Sequence, residues 1–107
     1  RELIVVKKSG RKSTFDREKL SKSIYIALKK RPIDTDTVEK FITKISRSLE
    51  ELGQNEIASN TIGTMVMEGL KDLDPVAYVR FASVYRNFRE EKDFIQFVDK
   101  IDVFKKK

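Results

Sequence analysis

Six charged residues gather near the front of the chain, in the run Lys7-Lys8-Ser9-Gly10-Arg11-Lys12 and then Asp16 and Lys19. Two lysines precede a Ser-Gly turn, two cations follow it, and a fifth falls in the first turn of what reads as a helix opened by Asp16. Cations of this kind donate charge-assisted hydrogen bonds to an anion. The helix start adds backbone N–H groups and the positive end of the helix dipole, provided its cap leaves those donors free. Asp16 opposes that contribution, because a capping carboxylate competes for the same donors. There is a plainer reading: lysines on a short hairpin also block edge-to-edge pairing, and charge pattern alone favours that plainer reading.

Such a cluster needs elements to hold it. Leu3-Ile4-Val5-Val6 is apolar and β-branched, the composition of a strand. Ser9-Gly10 is expected as a two-residue turn, with residues 11–15 returning antiparallel to complete a hairpin over 3–15. Two strands alone are marginal, so helices must lie beneath them. The spacing of Leu20, Ile24, Ala27 and Leu28 predicts a first helix over 16–30, with Lys29-Lys30-Arg31 at its C-terminus and Pro32 ending the run. Asp34 or Asp36 caps a second helix over 35–52, whose stripe is Val38, Phe41, Ile42, Ile45, Leu49 and Leu52, with Gly53 just past its end. Glu56-Ile57-Ala58 reads as a brief extended piece. Ser59 or Asn60 is the expected cap of a third helix over 59–73, with Ile62, Met65, Val66, Gly69, Leu70 and Leu73 inward. Asp74-Pro75 restarts a fourth over 75–91, lined by Ala77, Phe81, Val84, Tyr85 and Phe88. A helical extension over 92–103 carries Phe94, Phe97, Val98 and Ile101, a stripe that finishes the core more often than it recruits a partner. The fold class is therefore α+β and mostly helical, a bundle of about four helices under a small hairpin.

Composition narrows the chemistry. A chain of 107 residues fits one domain, and its 39% hydrophobic content supports a core. The net charge of +6 favours an anionic partner without choosing among nucleotide, nucleic acid and acidic membrane surface. Cysteine and histidine are both absent, which removes thiolate chemistry, a disulfide framework and the commonest general base. There is no nucleophile with a base nearby and no Walker-type glycine loop, so an enzyme is not expected. No apolar run approaches a membrane span, and no signal-peptide pattern opens the chain; the expectation is a soluble, cytoplasmic protein. The start on Arg1 suggests a fragment of something longer. Phe81, Tyr85 and Phe88 interleave with Arg80, Arg86 and Arg89, but that spacing is the spacing of burial rather than of base stacking. Tyr85 and Arg89 stand apart, one turn from each other and able to reach one ligand.

Val5-Val6-Lys7-Lys8-x-Gly10-Arg11 followed by Phe15-Asp16-x-x-Lys19 resembles the ATP-cone, a small allosteric nucleotide-binding module. The stretch from Tyr78 through Arg80, Phe81, Tyr85 and Arg86 to Phe88, with Val66-Met67-Glu68-Gly69-Leu70, is similar to the NrdR family of bacterial transcriptional repressors of ribonucleotide reductase genes. The resemblance implies a helical bundle with a hairpin roof, binding ATP or dATP, usually with Mg²⁺ on the phosphates. It implies that Val5, Phe15 and Leu20 meet the adenine and that Lys7, Lys8 and Lys19 meet the phosphates. Thr61 and Arg89 fall at further phosphate positions, and Tyr85 near the ligand. Ser13 and Thr14 stand where relatives often carry Glu-Pro, which shifts base recognition toward backbone groups or Asp16. Members of the family also begin with a four-cysteine zinc ribbon that reads DNA. With no cysteine here, zinc and sequence-specific DNA contacts would belong to a segment outside this chain. The expected switch is a nucleotide-dependent change of homo-oligomer. Two other readings compete with it: the ATP-cone of a ribonucleotide reductase large subunit, and a nonspecific basic nucleic-acid binder.

Overall fold

The computed structural model describes residues 2–87 and 89–99. The elements run β1 (Ile4–Val6), β2 (Lys12–Thr14), α1 (Arg17–Ala27), α2 (Thr35–Glu51), β3 (Glu56–Ala58), α3 (Ser59–Leu73), α4 (Pro75–Tyr85) and α5 (Glu91–Asp99). This is the mostly helical α+β architecture expected.

The roof is larger than a hairpin. β1 pairs antiparallel with β2, Val5 opposite Ser13, and parallel with β3, Val5 opposite Ile57, giving the order β2-β1-β3. The brief extended piece at 56–58 is thus a third strand, and both edges of β1 are paired. Lys12 on β2 reaches across to Glu56 on β3, 2.8 Å from its carboxylate. The turn also differs from expectation. Lys7 N–H donates to Arg11 O and Gly10 N–H donates to Lys7 O, both at 2.8 Å, so the loop holds three residues, Lys8, Ser9 and Gly10. A turn closed by a left-handed residue is the usual three-residue solution, and Gly10 sits at φ 91°. A Cβ at Gly10 would meet open space, so its cost is purely conformational. Gly10→Ala should therefore destabilise the roof by about 1–2 kcal/mol, measured by urea unfolding; unchanged stability would contradict the left-handed assignment.

Helix ends follow local chemistry. Asp16 Oδ1 accepts from Glu18 N and Lys19 N, and Asp34 Oδ1 accepts from Thr37 N at 2.7 Å, so Asp34 rather than Asp36 caps α2. The Thr37 backbone bond lowers the Asp34 pKa from the usual carboxylate value. α1 stops at Ala27, short of the expected residue 30, and Lys30 takes a left-handed φ of 62°. Its last carbonyl and the connection beyond it are met by Arg80 of α4, whose Nη1 donates to Ala27 O at 3.2 Å and to Lys29 O at 2.7 Å. Lys29-Lys30-Arg31 therefore lies beyond the helix rather than in its last turn. Gly53 follows α2 at φ 67°, as a terminating glycine should. α3 corrects a further expectation: it begins at Ser59, its cap is Ala58, and no side chain bonds its first-turn N–H groups.

The core joins Leu20 and Ile24 of α1, Val38, Ile42, Ile45 and Leu49 of α2, Ile57 of β3, Val66, Met67 and Leu70 of α3, and Ala77, Tyr78 and Ala82 of α4. Val84 is 82% exposed, against the expectation that it lines the buried face. It is two residues from buried Ala82, about 200° around the helix, and so points the other way. Leu52, past the end of α2, is also exposed. α4 ends at Tyr85, short of 91, with Asn87 left-handed at φ 57°. Phe97 of α5 is half-buried, packs on the core and lies 5.4 Å from the Tyr78 ring, with the Arg86 guanidinium 5.7 Å from its centroid. That part of the terminal stripe finishes the core. Phe88, Ile101 and the end of the expected extension lie outside the described residues.

α4 is anchored at its start by Asp74, which is 3% exposed. Asp74 Oδ1 accepts from Val76 N at 2.9 Å and Ala77 N at 3.0 Å, and the carboxylate accepts from Arg31 Nε at 2.9 Å. One side chain thus caps α4 and ties it to the α1–α2 connection.

Candidate functional site

The cavity beneath the roof has a volume of about 340 Å³, within the range of small-molecule sites. Two strands and three helices build its wall. β1 and its exit supply Val5 and Lys7, and β2 with its exit supplies Ser13, Thr14 and Phe15. α1 contributes Lys19, Leu20 and Ser23 behind the Asp16 cap. α3 brings Ser59, Ile62, Gly63 and Val66, and α4 brings Phe81 and Tyr85.

The sequence pattern explains the division of character. Alternation along β1 places Val5 and Lys7 on one face, half-buried and exposed respectively. Phe15 is held half-buried where its N–H donates to Leu3 O at 2.7 Å. Leu20 is one turn into α1 and buried, whereas Lys19 beside it is exposed. The result is an apolar floor of Val5, Phe15, Leu20, Ile62 and Val66, with Lys7 and Lys19 at the rim and Asp16 as the one carboxylate in the lining. Small hydroxyl side chains complete the wall. Ser23 Oγ is turned back to Leu20 O at 2.8 Å.

Tyr85 closes the far side. Its hydroxyl donates to Asn60 O at 2.8 Å, and its ring stacks on Phe81 with centroids 6.0 Å apart and planes at 26°.

Seven of the ten residues expected at the site meet here: Val5, Lys7, Phe15, Asp16, Lys19, Leu20 and Tyr85. Lys8, Thr61 and Arg89 are not in the lining. Lys8 is an exposed residue of the three-residue turn, Thr61 is exposed in the first turn of α3, and Arg89 follows the end of α4 with its N–H bonded to Asp93 Oδ2 at 3.2 Å. Ile62, Val66 and Phe81 read in sequence as core positions, because a stripe at helical spacing looks the same whether it faces a core or a cavity. Ser59 reads in sequence only as a candidate helix cap, and Gly63 carries no indication of the cavity. The helix N-terminus at the cavity with no side-chain cap is that of α3; at α1 the Asp16 carboxylate occupies the first-turn donors.

No group of three His, Cys, Asp or Glu able to hold a metal occurs among the described residues. No helix among them is long and apolar enough to cross a membrane.

The profile of the ATP cone domain matches residues 3–91, from the start of the roof to the start of α5. The chain belongs to the ATP-cone family, and within it to the NrdR group. It is 84% identical over all 107 residues to "Transcriptional repressor NrdR" of Pelagibacter ubique, spanning 70% of that protein. It is 58% identical over 107 residues to the protein of that name in Azorhizobium caulinodans, spanning 62% of it. With the Rhodospirillum rubrum protein it shares 60% over 99 residues, 92% of this chain and 65% of that one.

Proposed function

We propose that this chain is the nucleotide-sensing domain of a transcriptional repressor of ribonucleotide reductase genes, binding ATP or dATP in the cavity under the roof. The observation that carries this is the gathering of Val5, Phe15 and Leu20 as an apolar floor with Lys7 and Lys19 at one rim, in a chain of the ATP-cone family. In the proposed complex the adenine lies on the apolar floor, where burial of an aromatic base is favourable. Its phosphates meet Lys7 and Lys19. The uncapped N-terminus of α3 at Ser59 adds backbone donors and a favourable dipole. Ser13 and Thr14, lining the wall, stand ready to bond the base edge with Asp16. Lys8, Thr61 and Arg89, outside the lining, are left out of the proposed contacts.

Mg²⁺ fits this arrangement as an ion carried by the nucleotide. Magnesium keeps several waters and is held by one or two carboxylates plus substrate phosphates. Asp16 is the one carboxylate available in the lining, and its Oδ1 already serves two backbone N–H groups.

The output of the site is assembly. The relatives are named transcriptional repressors, which favours a regulatory, non-enzymatic role over the reductase reading. DNA would be read by a zinc ribbon outside these 107 residues, in the cytoplasm, with homo-oligomers pairing such ribbons. A ligand shifts such an equilibrium only by its differential affinity for the two assemblies. Coupling of about 1–3 kcal/mol suffices for useful control. Calorimetric titration with ATP and dATP tests the site, and gel filtration in each nucleotide tests the output. Identical elution for the apo, ATP and dATP forms would remove the switch. Indifference to ATP with salt-sensitive DNA binding would instead favour a nonspecific nucleic-acid binder.

A further inference from the structure

Glycine is a poor residue for the middle of a helix, yet Gly63 stands inside α3 and is buried. The reason lies in another helix. A Cβ built on Gly63 would collide with the Tyr85 ring, 2.6 Å from Cζ and 2.7 Å from Cδ1, and would press closest on Cε1. Ordinary contact between carbon atoms needs about 3.5–4.0 Å. The ring therefore lies directly on the backbone of α3, in space that only a glycine leaves open.

The ring is not free to yield without consequence. Its hydroxyl is bonded to Asn60 O at 2.8 Å, with Thr64 Oγ1 at 3.5 Å, and the ring stacks on Phe81. With Ser23 and Phe81 it lines two spaces: the cavity that holds Val5, Lys7 and Lys19, and a cleft with Ile26, Ala27, Arg80, Ser83 and Val84 in its wall.

We infer that Gly63 is a positioning residue for the nucleotide site: it fixes Tyr85 against α3, and the seated ring sets the boundary of the cavity, an assignment that rests on the nucleotide reading. A methyl group at position 63 unseats the ring, breaks the Asn60 bond and reshapes both spaces, although alanine favours the helix itself. Position 63 thus controls ligand affinity without lying among the groups that bind the phosphates.

The test is a double-mutant cycle of wild type, Gly63→Ala, Tyr85→Ala and the double variant, each titrated calorimetrically with ATP and dATP and melted without ligand. Gly63→Ala should weaken ATP at least about tenfold and shift the Tyr85 ring resonances. In the Tyr85→Ala background the same substitution should change affinity less than about twofold, because the collision is gone. Wild-type affinity in Gly63→Ala, or an equal loss in both backgrounds, overturns the inference. If Gly63→Ala fails to fold, a folded double variant supports the collision, and a double variant that also fails to fold overturns it. A wild type that binds neither nucleotide defeats the nucleotide reading instead, and the ring resonances and melts still report on the seating of Tyr85.

Discussion

Asp74→Ala should lower the free energy of unfolding by about 3 kcal/mol, the largest stability loss we expect from a single polar side chain here. Two terms add. Loss of a helix cap costs about 0.5–2 kcal/mol, and Asp74 caps α4 through the N–H groups of both Val76 and Ala77. Removing one partner of a buried ion pair leaves the other without compensation. The Arg31 side chain, 30% exposed, recovers part of that from solvent, which keeps the figure at the low end. Asp74→Asn keeps an acceptor for the cap while losing the charge, and should fall between wild type and alanine. Urea unfolding of the three proteins checks the order, and equal midpoints would show that the contact contributes nothing.

The same residue gives stability a pH dependence. Burial by itself raises the Asp74 pKa, but the bonds from Ala77, Arg31 and Val76 outweigh it, so the net shift is downward. A carboxyl whose pKa is depressed on folding binds its proton more readily in the unfolded chain. Its contribution is therefore complete above the ordinary carboxylate pKa, near 3.9, and is lost as pH falls through the lower folded value. In Asp74→Asn that part of the acid slope should vanish, so the gap from wild type seen at pH 7 should narrow on acidification toward pH 2. A constant gap would assign the stability to shape rather than charge.

Lys19→Ala, and separately Lys7→Ala, should weaken ATP binding by about 1.5–3 kcal/mol, the usual worth of a hydrogen bond to a charged group. That is roughly a ten- to hundredfold rise in Kd. Both side chains are exposed and neither belongs to the core, so the melting temperature should hardly move. Lys8→Ala and Lys44→Ala are the controls. Lys8 is in the turn and Lys44 is on α2, and neither lines the cavity, so each should change affinity less than about threefold. If all four substitutions weakened binding equally, the attraction would be that of net charge rather than a placed site.

Features specified by neighbouring residues could be read in advance. Asp16, Asp34 and the Asp74-Pro75 pair mark helix starts because a cap bonds N–H groups only two or three residues on. The stripe Leu20-Ile24-Ala27 and the run Val38-Ile42-Ile45-Leu49 are buried as their spacing requires. The seven cavity residues anticipated came largely from the front motif, whose chemistry is contiguous in sequence. What escaped depends on partners distant in the chain. The role of Glu56-Ile57-Ala58 as a strand is set by β1, and the last carbonyl of α1 is met by Arg80. Val84 resembled a buried position because hydrophobicity says which residues favour burial, not which face of a short helix meets its neighbours. Gly63 takes its meaning from the Tyr85 ring packed against it, a partner far along the chain.

The parallel pairing of β1 with β3 has a consequence for how this protein acquires its shape. Residues 4–6 complete their sheet only when residues 56–58 arrive, after α1 and α2 have been traversed. Such a closure is slow relative to hairpin and helix formation, since the intervening loop loses entropy before the distant contact compensates for it. The lid over the cavity is therefore expected to be a late event in folding, and an adenine nucleotide in solution should speed no early step while slowing the reopening of that last one.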